Sequence, residues 1–340
     1  LDMMFRKSRD CFFPQPISVH YSNPFPCKLP LFIFTIFILT LVLKPNRIFA
    51  MSSFEGARKH YFSLPIKKTL EEHENKTPSH KGAVIRGPVT VHLPKQYKKR
   101  DNDETFPLLL SLHGFGSFPL FHEGFFKLRK VVNSKRFILA TLPGSFNKTG
   151  QRFWNAGDWC CDFYKSGRED VRYILHVLKR LKKLYNVNPR KVALLGHSNG
   201  GFMSYRLLCK YPELFSGVIS IAGAMPRGIG SCKKPLKASI LHIHGKEDAV
   251  IKYKGSPFHI SADKTISQWL NNQQCDINRY KKKQNVILKW GQWPKIRKIK
   301  TWSHCQSGSK VSFWSISKEG HFVDLTRSMK LKMIDFIFKD

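Results

Sequence analysis

Apolar residues in this chain follow two alternating rhythms. Short runs are apolar almost without interruption. Between them, apolar positions recur every three or four residues. Phe106-Pro-Leu-Leu-Leu-Ser-Leu-His and Arg136-Phe-Ile-Leu-Ala-Thr-Leu-Pro are runs of the first kind. Unbroken runs of this length fit parallel strands covered on both faces. Lys191-Val-Ala-Leu-Leu, Val218-Ile-Ser-Ile-Ala-Gly, Ala238-Ser-Ile-Leu-His-Ile-His-Gly and Val311-Ser-Phe-Trp-Ser-Ile-Ser continue the series. Gly82-Ala-Val-Ile-Arg-Gly and Val89-Thr-Val-His-Leu alternate like early strands. The second rhythm is clearest over 168–185, where Val171, Ile174, Leu175, Leu178 and Leu181 make an apolar stripe. Lys179, Arg180, Lys182 and Lys183 lie opposite it, as in a surface helix. Helices are also expected over 203–210 and 325–339. Strand–helix alternation across roughly 260 residues predicts one α/β domain with a doubly wound, mostly parallel sheet and helices on both faces.

The N-terminal part has a different character. Leu31 to Leu43 is an apolar run of 13 residues, preceded by Arg6, Lys7, Arg9 and Lys28. It is too short to span a bilayer and fits the core of a secretory signal, with Ala50 as a small residue at a cleavage site. We read 1–50 as a signal peptide (or an upstream segment plus a signal), 51–82 as an N-terminal arm and 83–340 as the α/β domain. A short membrane anchor is the competing reading of the apolar run. Export implies an oxidising compartment, extracellular or periplasmic. Six cysteines follow Met51, namely 160, 161, 209, 232, 275 and 305. They form no C-x-x-C pair, so disulfides are the economical reading for most of them. Cys209 fits a buried free thiol equally well.

Composition changes the picture in one respect. The 340 residues are 42% hydrophobic, enough for a sizeable core, but the formal net charge is +35. Such a charge speaks to partners rather than fold. The basic residues are scattered and no nucleic-acid-binding motif accompanies them, which disfavours nucleic acid and leaves a solvated surface or an anionic surface or polymer.

Gly196-His197-Ser198-Asn199-Gly200 matches G-x-S-x-G. An apolar strand runs into it and a helix follows, the setting of a nucleophile elbow. A serine nucleophile needs a base, and the base needs an orienting acid. In chain order the acid comes next. Asp248 leaves the end of an apolar strand, with Glu247 as its competitor. His321 then follows the last strand directly. Among the other histidines, His197 adjoins the nucleophile, His242 and His244 lie in or at the end of a strand, and His304 precedes the last strand, at the wrong end of the sheet. Two N–H groups must receive the oxyanion. We assign Asn199, the residue after the nucleophile, and Phe115 from the His113-Gly114-Phe115-Gly116 loop, with Gly116 as alternative.

These residues resemble the secreted esterases of the polyhydroxybutyrate depolymerase, feruloyl esterase and acetylxylan esterase group, within the α/β-hydrolase fold. The resemblance is carried by Leu112-His-Gly, Phe153-Trp-Asn-Ala-Gly-Asp-Trp-Cys-Cys, Glu169-Asp170-Val and Gly196-His-Ser-Asn-Gly-Gly-Phe-Met. It continues through Pro212-Glu-Leu-Phe, His242-Ile-His-Gly-Lys-Glu-Asp and Glu319-Gly-His. It implies the same triad of Ser198, Asp248 and His321, and substrate-binding roles for Trp154 and Asn155. A core position is the alternative for Trp154. It also implies a Cys275–Cys305 bond. That bond would staple the segment 276–303, which holds nine Lys or Arg and one Asp. Where the family reads Gly-Gly-His then Trp-Pro, this chain has Glu319-Gly320-His321-Phe322-Val323. The wall beside the base therefore differs.

The expected activity is hydrolysis of carboxylic esters by a monomeric secreted serine esterase without metal or organic cofactor. The alternatives are a peptidase of similar fold and a non-catalytic cationic surface binder. Segment 276–303 is the candidate contact for an anionic surface or polymer.

Overall fold

The computed structural model describes residues 58–62, 86–98, 104–157, 160–225, 232, 237–287 and 295–339. All lie in the compact unit Pro45–Asp340. The signal segment with its apolar run, and most of the run from Gly82 read as a strand, lie outside the described residues. Among the described residues no helix is long and apolar enough to cross a membrane.

Twelve strands and six α-helices are formed by the described residues. The strands are Arg58–Phe62 (β1), Val89–Leu93 (β2), Phe106–Leu112 (β3), Ile138–Leu142 (β4), Ser145–Phe146 (β5), Arg152–Phe153 (β6), Val187–His197 (β7), Gly217–Ile221 (β8), Ser239–Gly245 (β9), Tyr280–Ile287 (β10), Lys295–Trp302 (β11) and Val311–Ile316 (β12). The helices are Pro119–Phe126 (α1), Arg129–Lys135 (α2), Asp170–Leu184 (α3), Asn199–Lys210 (α4), Ala262–Asn272 (α5) and Arg327–Phe338 (α6). Ten strands make one sheet in the order β1-β2-β4-β3-β7-β8-β9-β12-β11-β10. The six from β4 to β12 run parallel, and an antiparallel pair flanks them on each side. β5 and β6 pair separately.

The apolar runs behave as their lack of alternation demands. Leu108, Leu110 and Leu112 of β3 enter the core shared with α3, α4 and α5, while Leu109 enters the opposite core against α2 and α6. Adjacent residues of a strand point to opposite faces, so a strand covered on both sides has no polar face to show. The chemistry-bearing loops leave the C-terminal ends of β3, β7, β9 and β12, the edge where open parallel sheets bind ligands.

The structure departs from the sequence reading in one element and sharpens it in two places. Within the segment read as an arm, Arg58–Phe62 pairs antiparallel with β2 as an edge strand. Segment 276–303 contains a hairpin, β10–β11, that extends the sheet beyond β12 and is joined at its base by the Cys275–Cys305 disulfide. Cys209 is bonded to Cys232 rather than free, and Cys160 to its neighbour Cys161.

Asp170, at the start of α3, ties distant segments together. Its carboxylate pairs with Arg86, accepts from Ser145 Oγ (2.8 Å) and from the Asn155 N–H (2.6 Å), and is buried. Its removal leaves the largely buried Arg86 guanidinium without its counter-charge, and the Ser145 hydroxyl and Asn155 N–H without their acceptor. Asp170→Ala should therefore lower the unfolding free energy by about 3–5 kcal/mol. Urea unfolding of both proteins measures this, and a loss below about 1 kcal/mol, the ordinary value of an exposed pair, would contradict it.

Candidate active site

Ser198 sits on the turn between β7 and α4 with φ +52° and ψ −121°. That left-handed φ is strained for a residue with a side chain, and close packing on both sides sustains it. A Cβ at Gly196 would lie 2.0 Å from the Gly200 carbonyl oxygen, and one at Gly200 would lie 2.3 Å from that of Leu112. Only hydrogen fits at either position. The turn thus presses the start of α4 against the end of β3, where the His113–Gly116 loop begins.

Asp248 is buried, whereas Glu247 is exposed, which favours Asp248 as the candidate acid. Its Oδ1 accepts the Val250 and Ile251 N–H groups at 2.9 and 2.8 Å. Its Oδ2 accepts from His321 Nδ1 at 2.9 Å. Burial opposes the charge, but hydrogen bonds from His244 and His321 outweigh it and hold the carboxyl well below the usual carboxylate range. With its proton on Nδ1, a neutral His321 has a bare Nε2. His197, beside the nucleophile, donates Nε2–H to the His321 carbonyl at 3.0 Å, and the two rings are 4.8 Å apart. This bond fixes the His321 loop over the elbow. Burial, and then the nearby His321, push the His197 imidazole down to about 3. His304 is exposed on the far side of the last strand.

The second candidate oxyanion donor is set by His113. Its Nδ1–H is given to the Gly114 carbonyl (2.8 Å), and its Nε2 accepts the Gly144 N–H (2.9 Å). Carbonyl and N–H point opposite ways across a trans peptide, so the Phe115 N–H is turned away from His113. Gly116 gives its own N–H to the Arg152 carbonyl at 2.8 Å, which favours Phe115 over the alternative.

The structure does not place Trp154 on an open wall. Its side chain is fully buried, and its Nε1–H is donated to the His113 carbonyl at 2.9 Å. Its backbone exchanges two hydrogen bonds with the Asn199 side chain, at 2.7 and 2.8 Å. Trp154 therefore braces both candidate oxyanion segments from behind. Asn155 accepts from Arg206 Nη1 through its carbonyl (2.7 Å) and donates Nδ2–H to the Arg168 carbonyl (3.1 Å). It lines a cavity of 480 Å³ between α3 and α4, with Arg168, Arg172, Arg206 and Tyr211, to which Ser198, Asp248 and His321 contribute nothing. The open rim near Ser198 is aromatic. Phe322 contacts Phe121 and Phe125 of α1, and Phe115 contacts Phe163. Sequence pointed to Phe115 and Phe322, but no signal distinguished Phe121, Phe125 and Phe163 from core residues. Glu319, which stands where the resembling family has Gly, is buried and paired with Lys295 Nζ at 2.8 Å.

Comparison with known proteins places this arrangement. The model of the Esterase family matches residues 86–311, two thirds of the chain. The chain belongs to this esterase family. It is a family of the α/β-hydrolase superfamily, and the match takes in Phe115, Trp154, Asn155, Ser198, Asn199 and Asp248 but ends before His321. Feruloyl esterase B of Piromyces equi is 24% identical over 64% of this chain and 40% of its own length. The bifunctional acetylxylan esterase/xylanase XynS20E of Neocallimastix patriciarum is 26% identical over 44% of this chain and 20% of its own. The chain thus spans less than half of these two curated relatives. An S-formylglutathione hydrolase from Agrobacterium tumefaciens superposes with a TM-score of 0.54 at 12% identity, covering 86% of this chain and all of that one. That likeness is one of fold.

Burial has a consequence for acid stability. It pushes His113 down to about 4 and His197 to about 3, and holds His122 and His242 well below the usual imidazole range. In the unfolded chain these imidazoles take up protons near their ordinary value. The unfolded state therefore binds more protons below about pH 6.5. Stability is complete above that pH and falls as the pH drops toward the folded values. His113 alone should remove about 3 kcal/mol by pH 4. Unfolding free energies at pH 7, 5.5 and 4.5 should decline steadily, and a flat profile would refute the neutral assignment.

Proposed function

We propose that this chain is a secreted serine esterase that hydrolyses carboxylic esters through an acyl-enzyme, with Ser198 as nucleophile, His321 as base and Asp248 as acid. The bond from His321 Nδ1 to Asp248 Oδ2, beside a serine held at positive φ, carries the reading. His321 Nε2 takes the Ser198 hydroxyl proton as the oxygen attacks the ester carbonyl, then returns it to the departing alcohol. Asp248 keeps the imidazole in the tautomer that leaves Nε2 bare and stabilises the imidazolium. The Phe115 and Asn199 N–H groups receive the oxyanion, and water activated by His321 releases the acid. Three disulfides among the described residues support an exported protein.

The aromatic rim favours esters with an aromatic acyl group, such as hydroxycinnamoyl esters of polysaccharide, over acetyl or hydroxybutyryl esters. Phe322 stands beside His321, with ring centroids 5.6 Å apart. Ser198→Ala should lower kcat on methyl ferulate by more than about a thousandfold with the fold intact. Phe322→Ala should lower kcat/KM for methyl ferulate more than for nitrophenyl acetate. Full activity in Ser198→Ala would overturn the nucleophile, and hydrolysis of peptide amides but not esters would favour the peptidase reading.

The β10–β11 hairpin supports an anionic polymer as partner. Its register sets Lys282 directly opposite Lys300, with Lys298 on the same face. Lys300 Nζ lies 5.2 Å from the Tyr280 ring. Like charges directly opposite weaken a strand pair, and an anionic polymer would relieve that repulsion. Lysines on β10 also keep a sheet edge from pairing with another chain, so binding must be measured. The Lys282→Glu/Lys300→Glu variant should elute at lower salt from an immobilised carboxylated polysaccharide, with unchanged turnover of a short soluble ester. Unchanged elution would reduce the lysines to edge protection.

A further inference from the structure

Behind Asp248 the core holds a line of polar side chains that the proposed mechanism does not use. Tyr205 of α4 and His242 and His244 of β9 are fully buried. Tyr205 Oη lies 2.7 Å from His242 Nδ1, and His242 Nε2 lies 3.2 Å from His244 Nδ1. His244 Nε2 lies 2.8 Å from the Ile251 carbonyl oxygen and 3.3 Å from Asp248 Oδ2, the oxygen that also accepts from His321.

The direction of each proton follows from the last acceptor. A carbonyl only accepts, so His244 carries its proton on Nε2. A neutral His244 then has a bare Nδ1, which accepts from His242 Nε2–H. His242 is left with a bare Nδ1, which accepts a hydrogen bond from the Tyr205 hydroxyl. Residues 242 and 244 stand two apart on β9 and share one face, so their rings can meet. Apolar packing keeps water out: Tyr205 contacts Trp269, and His242 contacts Phe313. Of the remaining titratable groups nearby, the ring of Tyr253 packs edge-on against His244, and its hydroxyl engages Ser315 and Asp263. His197 is committed to the His321 carbonyl.

We propose that Tyr205, His242 and His244 form a hydrogen-bond line of fixed polarity whose last donor, His244 Nε2–H, positions the Asp248 carboxylate and draws off part of its charge. The proposal rests on the reading of Asp248 and His321 as acid and base. All three members of the line are positioning residues. Asp248 Oδ1 then accepts two backbone N–H groups, and Oδ2 accepts from His321 and shares the forked His244 Nε2–H, whose shorter arm goes to the Ile251 carbonyl. Removing His244 Nε2–H leaves more charge on Oδ2 facing His321, which stabilises the imidazolium and raises the acid limb of the pH profile.

Two measurements test this. In 15N-labelled protein, both His242 and His244 should show the neutral Nε2–H pattern at pH 7. A proton on Nδ1 of either ring, alone or in a doubly protonated imidazolium, would overturn the line. In kinetics, His244→Leu should lower kcat about fivefold and raise the acid limb of kcat/KM by about half a pH unit. His244→Gln, whose Nε2 stands in for that of the imidazole, should restore both. A fall in kcat with an unmoved acid limb, or equal effects of Leu and Gln, would reduce His244 to packing. Should His244→Leu not fold, Tyr205→Phe removes only the far hydroxyl. The ring 15N signals of both histidines should then shift, and an unmoved His244 would break the line. Activity surviving in Ser198→Ala would instead remove the triad reading itself, so the two failures are separable.

Discussion

The site depends on a contact that leaves no room for a methyl group. The carbonyl oxygen of Leu112 faces Gly200 so closely that a Cβ there would sit 2.3 Å away. β3 and β7 are neighbours in the sheet, and each ends in a loop that must supply one part of the chemistry. Without that approach, the Phe115 and Asn199 N–H groups could not serve together as the proposed oxyanion donors. The positive φ of Ser198 follows from the same constraint. A chain that must turn from strand into helix within one residue, with its hydroxyl exposed, has no relaxed conformation in which to do so. The strain is carried by two cores, one on each face of the sheet, that anchor β7 and α4.

Buried histidines do much of the holding. His113 orients the first candidate oxyanion peptide, and His197 clamps the loop of His321 to the residue before the nucleophile. His242 and His244 line up behind Asp248. Imidazole suits these places because its neutral form offers one donor and one acceptor on fixed, opposed vectors. In a dry interior that pairing costs little, whereas a charge would cost much.

Much of the fold was legible because the central strands are covered on both faces and cannot hide as loops. The elbow was legible because its glycines are spaced by sterics, and Asp248 and His321 because chain order and strand ends limit the choice. What escaped the sequence depends on contacts made in three dimensions. β10 carries Lys281, Lys282 and Lys283 with little apolar alternation, since its faces see solvent, so it shows no strand rhythm. α1 is short and leaves Leu120 and Phe121 exposed, as is Phe118 just before it, which blurs its stripe. Trp154 could be placed near the site but not behind it, because burial is not written in residue type. The link from Tyr205 to Asp248 joins residues up to 43 positions apart, and the His242–Asp248 motif by itself does not show that its histidines face Tyr205 and the carboxylate.

The division between the elbow and α1 bears on how such a protein changes over generations. At Gly196 and Gly200 every replacement collides with backbone, so the reaction is inherited nearly whole or lost. Phe118, Leu120 and Phe121 lie under no such rule. They project into solvent from the start of a helix of eight residues and the residue that precedes it, and exchanging one disturbs little of the core. In the esterase proposed here, side chains at the rim can therefore drift one at a time while the turn beneath stays unaltered.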